Sequence, residues 1–307
     1  MSQIKSSLGQ LRIRSLILLE VLLECGSLHA AAERLHLTQP ALSSMLREIE
    51  RAFGGQLFDR SSKGMQPNVI GAAVIERARL IVNELKNAEQ EAQLLREGKT
   101  ELRLGVTPMM MLDAVPRALQ QFADRHPDTR VFINEGSVPT LCSALRSGSV
   151  DIVLSRPDPL FSSAPGLDLQ PLFNEDPCVM ACPSHPLLSK KRVRWEDLVH
   201  EKWILPPLQT FTWQNFAQAF IIRGLLPPEA HYECASFHSS VRLASRTSAL
   251  MVAPMSVGAH YESLRLVKRL DLSFPGVLAP ISLIQRSERP NVPVVNDFIE
   301  TLLTIFN

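Results

Sequence analysis

Gln39, Ser43, Ser44, Arg47 and Arg51 alternate with apolar residues three to four apart within residues 27–54, SLHAAAERLHLTQPALSSMLREIERAFG. On a helix this spacing predicts one polar, basic face opposite Leu42, Leu46, Ile49 and Phe53. Amide, hydroxyl and guanidinium groups on such a face can hydrogen-bond base edges and phosphate oxygens. Thr38 is suited to cap that helix, Pro40 falls in its first turn where the missing N–H costs nothing, and Arg34 precedes the turn. A shorter helix before it is expected to bury Leu28, Ala31, Ala32 and Leu35, with a tight turn at His36 to Thr38. This is the spacing of a helix-turn-helix, whose second helix reads DNA from its first residues. An ordinary helical hairpin with a solvated face has the same spacing.

A second set of polar groups lies at predicted strand ends. Thr107, Pro108 and Met109 follow ELRLGV, Ser137 and Val138 follow TRVFIN, and Ser155 with Arg156 closes VDIVLS. Further on, Gln209, Thr210 and Phe211 follow WILPP, and Phe237, His238 and Ser239 precede a predicted helix. Hydroxyls and helix N–H groups at the carboxyl ends of strands suit a small carboxylate or a sugar. Each of these residues could equally serve as a cap or turn residue, and His238 as a structural hydrogen-bonding residue. No G-x-S-x-G, H-E-x-x-H, P-loop or glycine-rich dinucleotide fingerprint occurs, and serines and histidines are scattered. The expectation is a protein that is not an enzyme and carries neither cofactor nor metal.

These residues need scaffolding. Residues 11–25, LRIRSLILLEVLLEC, predict an apolar helix with Ile13, Leu16, Leu19 and Leu23 on one stripe, wide enough to be buried on two sides. After Gly54 and Gly55, QLFDRSSKGMQPN reads as strand, basic tip and return strand, a wing with Arg60 and Lys63 at its tip. Two basic loop residues also serve plain solubility. Asn68 then caps a helix to Gly98 in which Gly71, Val74, Ala78, Ile81, Leu85, Ala88, Ala92 and Leu95 form a heptad seam. About 29 residues make a rod near 43 Å. Its narrow stripe points to pairing between two copies, against packing on its own domain. From Glu101 strands alternate with helices over 112–125 and 139–147, the signature of a parallel α/β sheet. A second series follows residue 175, with helices near 195–199, 213–223 and 239–246, and the chain closes with a strand in GVLAPISLIQ and the helix VVNDFIETLLTIF.

The 307 residues, 45% hydrophobic, support two or three domains with sizeable cores. No apolar run approaches the roughly 20 residues needed to span a bilayer. The first fifteen residues lack an apolar stretch followed by a small-residue cleavage site, so the expected compartment is the cytoplasm, with no membrane partner. Five cysteines, Cys25, Cys142, Cys178, Cys182 and Cys234, argue against a disulfide framework. Cys178 and Cys182 are read as packed inside a strand region ahead of redox sensing or metal binding. The formal charge is +1, and before residue 68 eight basic residues face six acidic ones, a net of +2. A monomer with so little excess charge binds DNA poorly, and pairing doubles the contacts.

The sequence resembles the LysR-type transcriptional regulators along its whole length. The likeness is carried by AAAERLHLTQPALSSMLREIERAFGGQLFDR, by the K-G-M and N-x-x-G steps between Lys63 and Gly71, by the long helix, and by RHPDTRVFINEGS with LRSGSVDIVLS. Asn68 stands where the family usually has threonine, and both residues cap helices; the methionines at 109–111 are unusual for a family effector pocket. The resemblance implies a winged helix-turn-helix head (1–67), a linker and dimerisation helix (68–98) and a two-lobed α/β effector domain (101–307) like periplasmic binding proteins. Lobe one would comprise about 101–172 and 276–307, and lobe two about 173–275. It also implies dimers of dimers on interrupted palindromes of double-stranded DNA, contact with RNA polymerase, and a small organic effector in the cleft that alters the assembly. GVTPMM and GSVPTLCSALRSG resemble the branch controlling sugar uptake or aromatic-acid breakdown. A different reading of the same elements is a cytoplasmic solute-binding module whose helical head serves only assembly.

Overall fold

The computed structural model describes residues 11–61, 64–157, 166–274 and 279–306. The head contains α1 (Ile13–Cys25), α2 (Leu28–Arg34), α3 (Gln39–Ala52) and the antiparallel pair β1 (Phe58–Ser61) and β2 (Gly64–Pro67). Ser27 caps α2 through Ala30 N–H, and Thr38 caps α3 through Ala41 N–H. Between them His36 takes a positive φ of 53°, which folds the chain back within the turn.

Leu18, Leu19 and Leu22 of α1, Ala31 and Ala32 of α2, and Leu42, Leu46 and Ile49 of α3 fill the head's core with Leu57, Phe58 and Met65. Four expected core positions differ. Ile13 and Phe53 are exposed, because each lies at a helix end beyond the packed crossing, and Leu28 and Leu35 are only half-buried at its margin. The stripe of α1 is therefore Leu18, Leu19 and Leu22 rather than one centred on Ile13 and Leu23.

The long helix α4 (Val69–Arg96) starts on Asn68, whose Oδ1 accepts from Gly71 N–H at 2.9 Å while Nδ2 donates to the Gln56 carbonyl at 2.8 Å. Gly71, Ile75, Ala78 and Val82 are its buried face, and α4 packs on α1. A Cβ at Gly71 would stand 1.9 Å from the Leu57 carbonyl oxygen, so only glycine lets helix and wing approach this closely.

After α4 come β3 (Thr100–Val106), α5 (Ala114–Ala123), β4 (Thr129–Glu135), α6 (Val138–Arg146), β5 (Ile152–Ser155), β6 (Leu167–Phe173) and β7 (Pro177–Ala181). Then follow β8 (Trp203–Leu205), α7 (Phe211–Ile221), β9 (Tyr232–Glu233), α8 (Phe237–Ala244), β10 (Leu250–Pro254), α9 (Met255–Ser263), β11 (Lys268–Arg269), β12 (Ile281–Arg286) and α10 (Pro293–Phe306). They build two five-stranded sheets, β4-β3-β5-β12-β6 and β11-β7-β10-β8-β9. The chain leaves the first sheet after β6 and returns to it as β12.

The sheets are mixed rather than parallel. β12 runs antiparallel to β5 and β6, and β7 antiparallel to β10 and β11, because these strands enter by returns between sheets instead of by helical crossovers. β6, β11 and α9 carried no recognised pattern: Pro171 interrupts the first, the second is two residues long, and α9 is scarcely amphipathic in sequence. The helix expected near 195–199 is a single 3₁₀ turn, Trp195–Leu198. The described residues up to 105, with 128–134 and 139–151, form one compact unit, and the other described residues form a second.

Candidate nucleic-acid interface and effector site

Capping decides where the head's polar face begins. With Thr38 fixed as N-cap, Gln39 and Pro40 form the first turn of α3, and both are exposed, as are Ser44 and Arg47. Ser43 is half-buried on the same side. Thr38 has its hydroxyl 3.4 Å from Ala41 N–H, so its first task is to end the turn. Arg34 lies 2.7 Å from the Glu24 carboxylate, an exposed pair that offsets the charge expected to face phosphate. The Cys25 side chain and the Glu24 charge together hold the Arg34 guanidinium above its ordinary value.

The wing is positioned from both ends. Glu50 on α3 accepts from Leu57 N–H at 3.0 Å, and Met65 N–H donates to the Gly26 carbonyl at 2.7 Å. A Cβ on Gly64, at φ 96°, would stand 2.5 Å from that same carbonyl. Arg60 pairs with Met65 in the backbone register, whereas Lys63 lies outside the described residues.

In the second compact unit, Thr107 follows β3 and its N–H donates to the Leu154 carbonyl at 3.2 Å. Its hydroxyl is buried with no hydrogen-bond partner among the described residues. Pro108 opens a 3₁₀ turn to Met111, and Met109 packs against the apolar cluster of the second sheet around Met180, Ile204, Val241 and Met251. The methionines thus begin as packing groups. Ser137 is exposed and Val138 is the first residue of α6. Ser155 is fully buried and donates to the Arg156 carbonyl at 3.1 Å, so its hydroxyl is already used.

On the second sheet, α7 and α8 begin two residues earlier than expected, because Thr210 and Ser236 are their caps. Phe211, Phe237, His238 and Ser239 therefore belong to first turns rather than to the loops before helices. Thr210 donates to the Pro207 carbonyl at 2.8 Å and accepts from Trp213 N–H at 3.3 Å, and Gln209 stays exposed. Ser239 N–H reaches Ser236 Oγ, and His238 Nδ1 lies 3.1 Å from the Tyr261 hydroxyl. Ser236 and Tyr261 escaped sequence reading, although S-x-x-S ahead of an apolar run is itself a capping signal.

Arg156 and Glu175 form the charged centre of this unit. The Arg156 guanidinium donates to the carbonyls of Glu175 and Ala279 and lies 5.5 Å from the Phe211 ring centroid. Burial lowers its affinity for its proton, opposed by the charges of Glu175 and Asp176. Burial also pushes the Glu175 carboxyl above its ordinary value, opposed by the Ser256 N–H bond at 2.7 Å and by Arg156. Both lose hydration and each partly restores the other. Nothing in sequence spacing marked Glu175, which is isolated between two strands. Cys178, also buried here, has its thiol pushed up to about 12 by burial, which suits packing and not thiolate chemistry.

Residues 13–72 match the bacterial regulatory helix-turn-helix protein, lysR family, and residues 96–306 match the LysR substrate binding domain. The chain belongs to the LysR family of transcriptional regulators. Among relatives of this LysR-type regulator, the HTH-type transcriptional regulator GalR of Pseudomonas putida is 30% identical over 269 residues, 87% of this chain and 67% of that protein. GbpR of Azospirillum brasilense is 30% identical over 247 residues, 80% of this chain and 72% of that protein. The solved structure of CbnR, a LysR family transcriptional regulator, has the same fold, with a TM-score of 0.67 at 21% identity over 97% of this chain and 100% of that one. Full-length OxyR from Pseudomonas aeruginosa gives 0.62 at 19%, over 96% and 94%. No described helix of the regulator is long and apolar enough to cross a membrane.

Proposed function

We propose that this LysR-type regulator binds an interrupted palindrome of double-stranded DNA as a dimer or dimer of dimers, working with RNA polymerase in the cytoplasm, and responds to a small carboxylate or sugar. The observation that carries the reading is the exposed first turn of a capped α3, within a head that matches the family's helix-turn-helix and precedes its substrate binding domain in the same chain. Gln39, Ser43, Ser44 and Arg47 face base edges and phosphates, Thr38 and Pro40 present them, and Arg60 and Lys63 serve the wing. Arg34 contributes once Glu24 releases it. The domains divide as 1–67, 68–98 and 101–307.

The effector is held around Thr107, Pro108, Met109, Ser137 and Val138 on the first sheet and Gln209, Thr210, Phe211, Phe237, His238 and Ser239 on the second, with Ser155 and Arg156 behind them. The unpaired Thr107 hydroxyl supports this placement, since a buried donor without a partner favours a ligand that completes it. Self-association uses Ile81, Leu85, Ala88, Ala92 and Leu95 on α4, an exposed stripe in the single chain, whereas Gly71, Val74 and Ala78 of the same seam face the head core. Footprinting on the promoter region beside its own gene is expected to show protected half-sites about 34 Å apart or at a multiple of that spacing. Binding that ignores both salt and sequence would overturn the reading. Thermal-shift screening of sugars and aromatic acids tests the effector class.

A further inference from the structure

The carboxyl end of α6 rests on the linker helix. The last carbonyls of any α-helix lack partners within it, and here the turn after α6 offers Ser147 and Gly148 to α4. Asn83 Nδ2 donates to the Ser147 carbonyl at 2.8 Å, and Asn87 Nδ2 to the Gly148 carbonyl at 2.9 Å. Glu76 lies 3.6 Å from Arg146, which is the last residue of α6. The amide oxygen of Asn87 accepts from Arg103 on β3, and Arg103 is held by the Asp151 carboxylate at 2.6 Å. Three side chains of α4, one turn or two apart, therefore grip one helix end and the strand beside it.

The grip leaves the rest of α4 free for its other contacts. At 3.6 residues per turn, Asn83 and Asn87 lie about 160° round the helix from Leu85. The docking face and the exposed apolar stripe thus occupy opposite sides. Gly71, Ile75 and Ala78 are buried against the head, and Val82 is buried on the same face. The other end of α6 begins at Ser137 and Val138, which belong to the effector site proposed above. Nine residues make α6 a rod of about 13 Å.

We propose that α6 is the element through which effector occupancy reaches the DNA-reading head, with Asn83 and Asn87 as positioning residues that couple its carboxyl end to the linker helix. The inference rests on the placement of the effector at Ser137 and Val138. A ligand that shifts the start of a short, stiff helix shifts its end, and the amide hooks pass the displacement to a helix whose first turns are part of the head core. Physical coupling requires one element that both sites bias, and α6 is the element that meets both.

Hydrogen exchange of the full-length protein tests this with four chains: native, N83A/N87A, S137W, and the three substitutions combined. The indole of S137W stands in for occupancy at the start of α6, so no effector is needed. N83A/N87A is expected to speed exchange at 80–90 and 147–151 by about ten-fold. S137W is expected to do so in the native chain and to add nothing when Asn83 and Asn87 are already alanine. If N83A/N87A proves poorly folded, Asn83→Ser removes one hook and should give an intermediate increase. Altered exchange at 107–112 and 209–213 in S137W with α4 unchanged would overturn the coupling and leave the effector site standing. No change in either place in S137W, with α4 still released by N83A/N87A, would overturn the site placement and the coupling with it. Native exchange in α4 after N83A/N87A would overturn the hooks alone as the link.

Discussion

Arg47 stands on the exposed side of α3, away from Leu42, Leu46 and Ile49, so its removal should touch DNA and little else. Arg47→Ala is expected to weaken operator binding by about 1 to 3 kcal/mol if the guanidinium meets a base in bidentate fashion, with the oligomeric state by light scattering unchanged. A changed molar mass would place the residue in an interface instead. Glu175 makes a prediction of the opposite kind, about stability. Its carboxyl is raised by burial, so the folded protein keeps this proton at a pH where the unfolded chain has lost it. Its contribution is therefore most favourable below the ordinary carboxylate range and falls as pH rises through that range. Thermal melts from about pH 4 to about pH 7 should show native stability declining relative to Glu175→Gln. A constant difference would mean the carboxylate is fully compensated by Arg156 and Ser256.

Among the elements, α4 is where one stretch of sequence meets several demands. Its heptad pattern was legible, but the pattern merges two faces that the structure separates. Gly71 and Ala78 are buried against the head, while Ile81, Leu85 and Leu95 are exposed. The reason is the length of the helix: only its first turns lie over α1, and residues beyond Val82 have no head to cover them. Gly71→Ala should cost upward of about 2 kcal/mol, since an added methyl meets the backbone oxygen of Leu57 and not a side chain able to move. Chemical denaturation followed by circular dichroism measures this, and a change under about 0.5 kcal/mol would show that wing and helix can part without loss.

For the molecule as a whole, affinity for DNA depends on number. A head with a net charge of +2 in its first 67 residues releases few counterions, so one copy should bind weakly and two should bind with roughly doubled salt dependence. Leu85→Lys places a charge in the exposed stripe of α4 and is expected to halve the molar mass in solution or reduce a tetramer to a dimer. Operator affinity should fall with it although no residue facing DNA has changed. An unaltered mass would move self-association away from this helix. The second compact unit brings together residues as distant in sequence as Arg156 and Ala279, which allows a single unit to hold a ligand between separate segments.

Local chemistry determined much of this protein without tertiary information. The Thr38 and Asn68 caps, the Pro40 first turn and the apolar spacing of α3 act over one or two turns, so helix starts and the polar face of the reading helix follow from residue order. The cap at Ser236 is also local and legible in principle, and at Thr210 a cap role stands beside ligand contact in the sequence itself. What the tertiary structure decided depends on partners far along the chain. The antiparallel entry of β12 needs a return from the second sheet. The commitment of Arg34 to Glu24 and of Ser155 to a neighbouring carbonyl is set by geometry that composition does not encode. The docking of Asn83 and Asn87 on Ser147 and Gly148 spans more than sixty positions. Sequence periodicity shows that a face exists, and only packing shows what covers it.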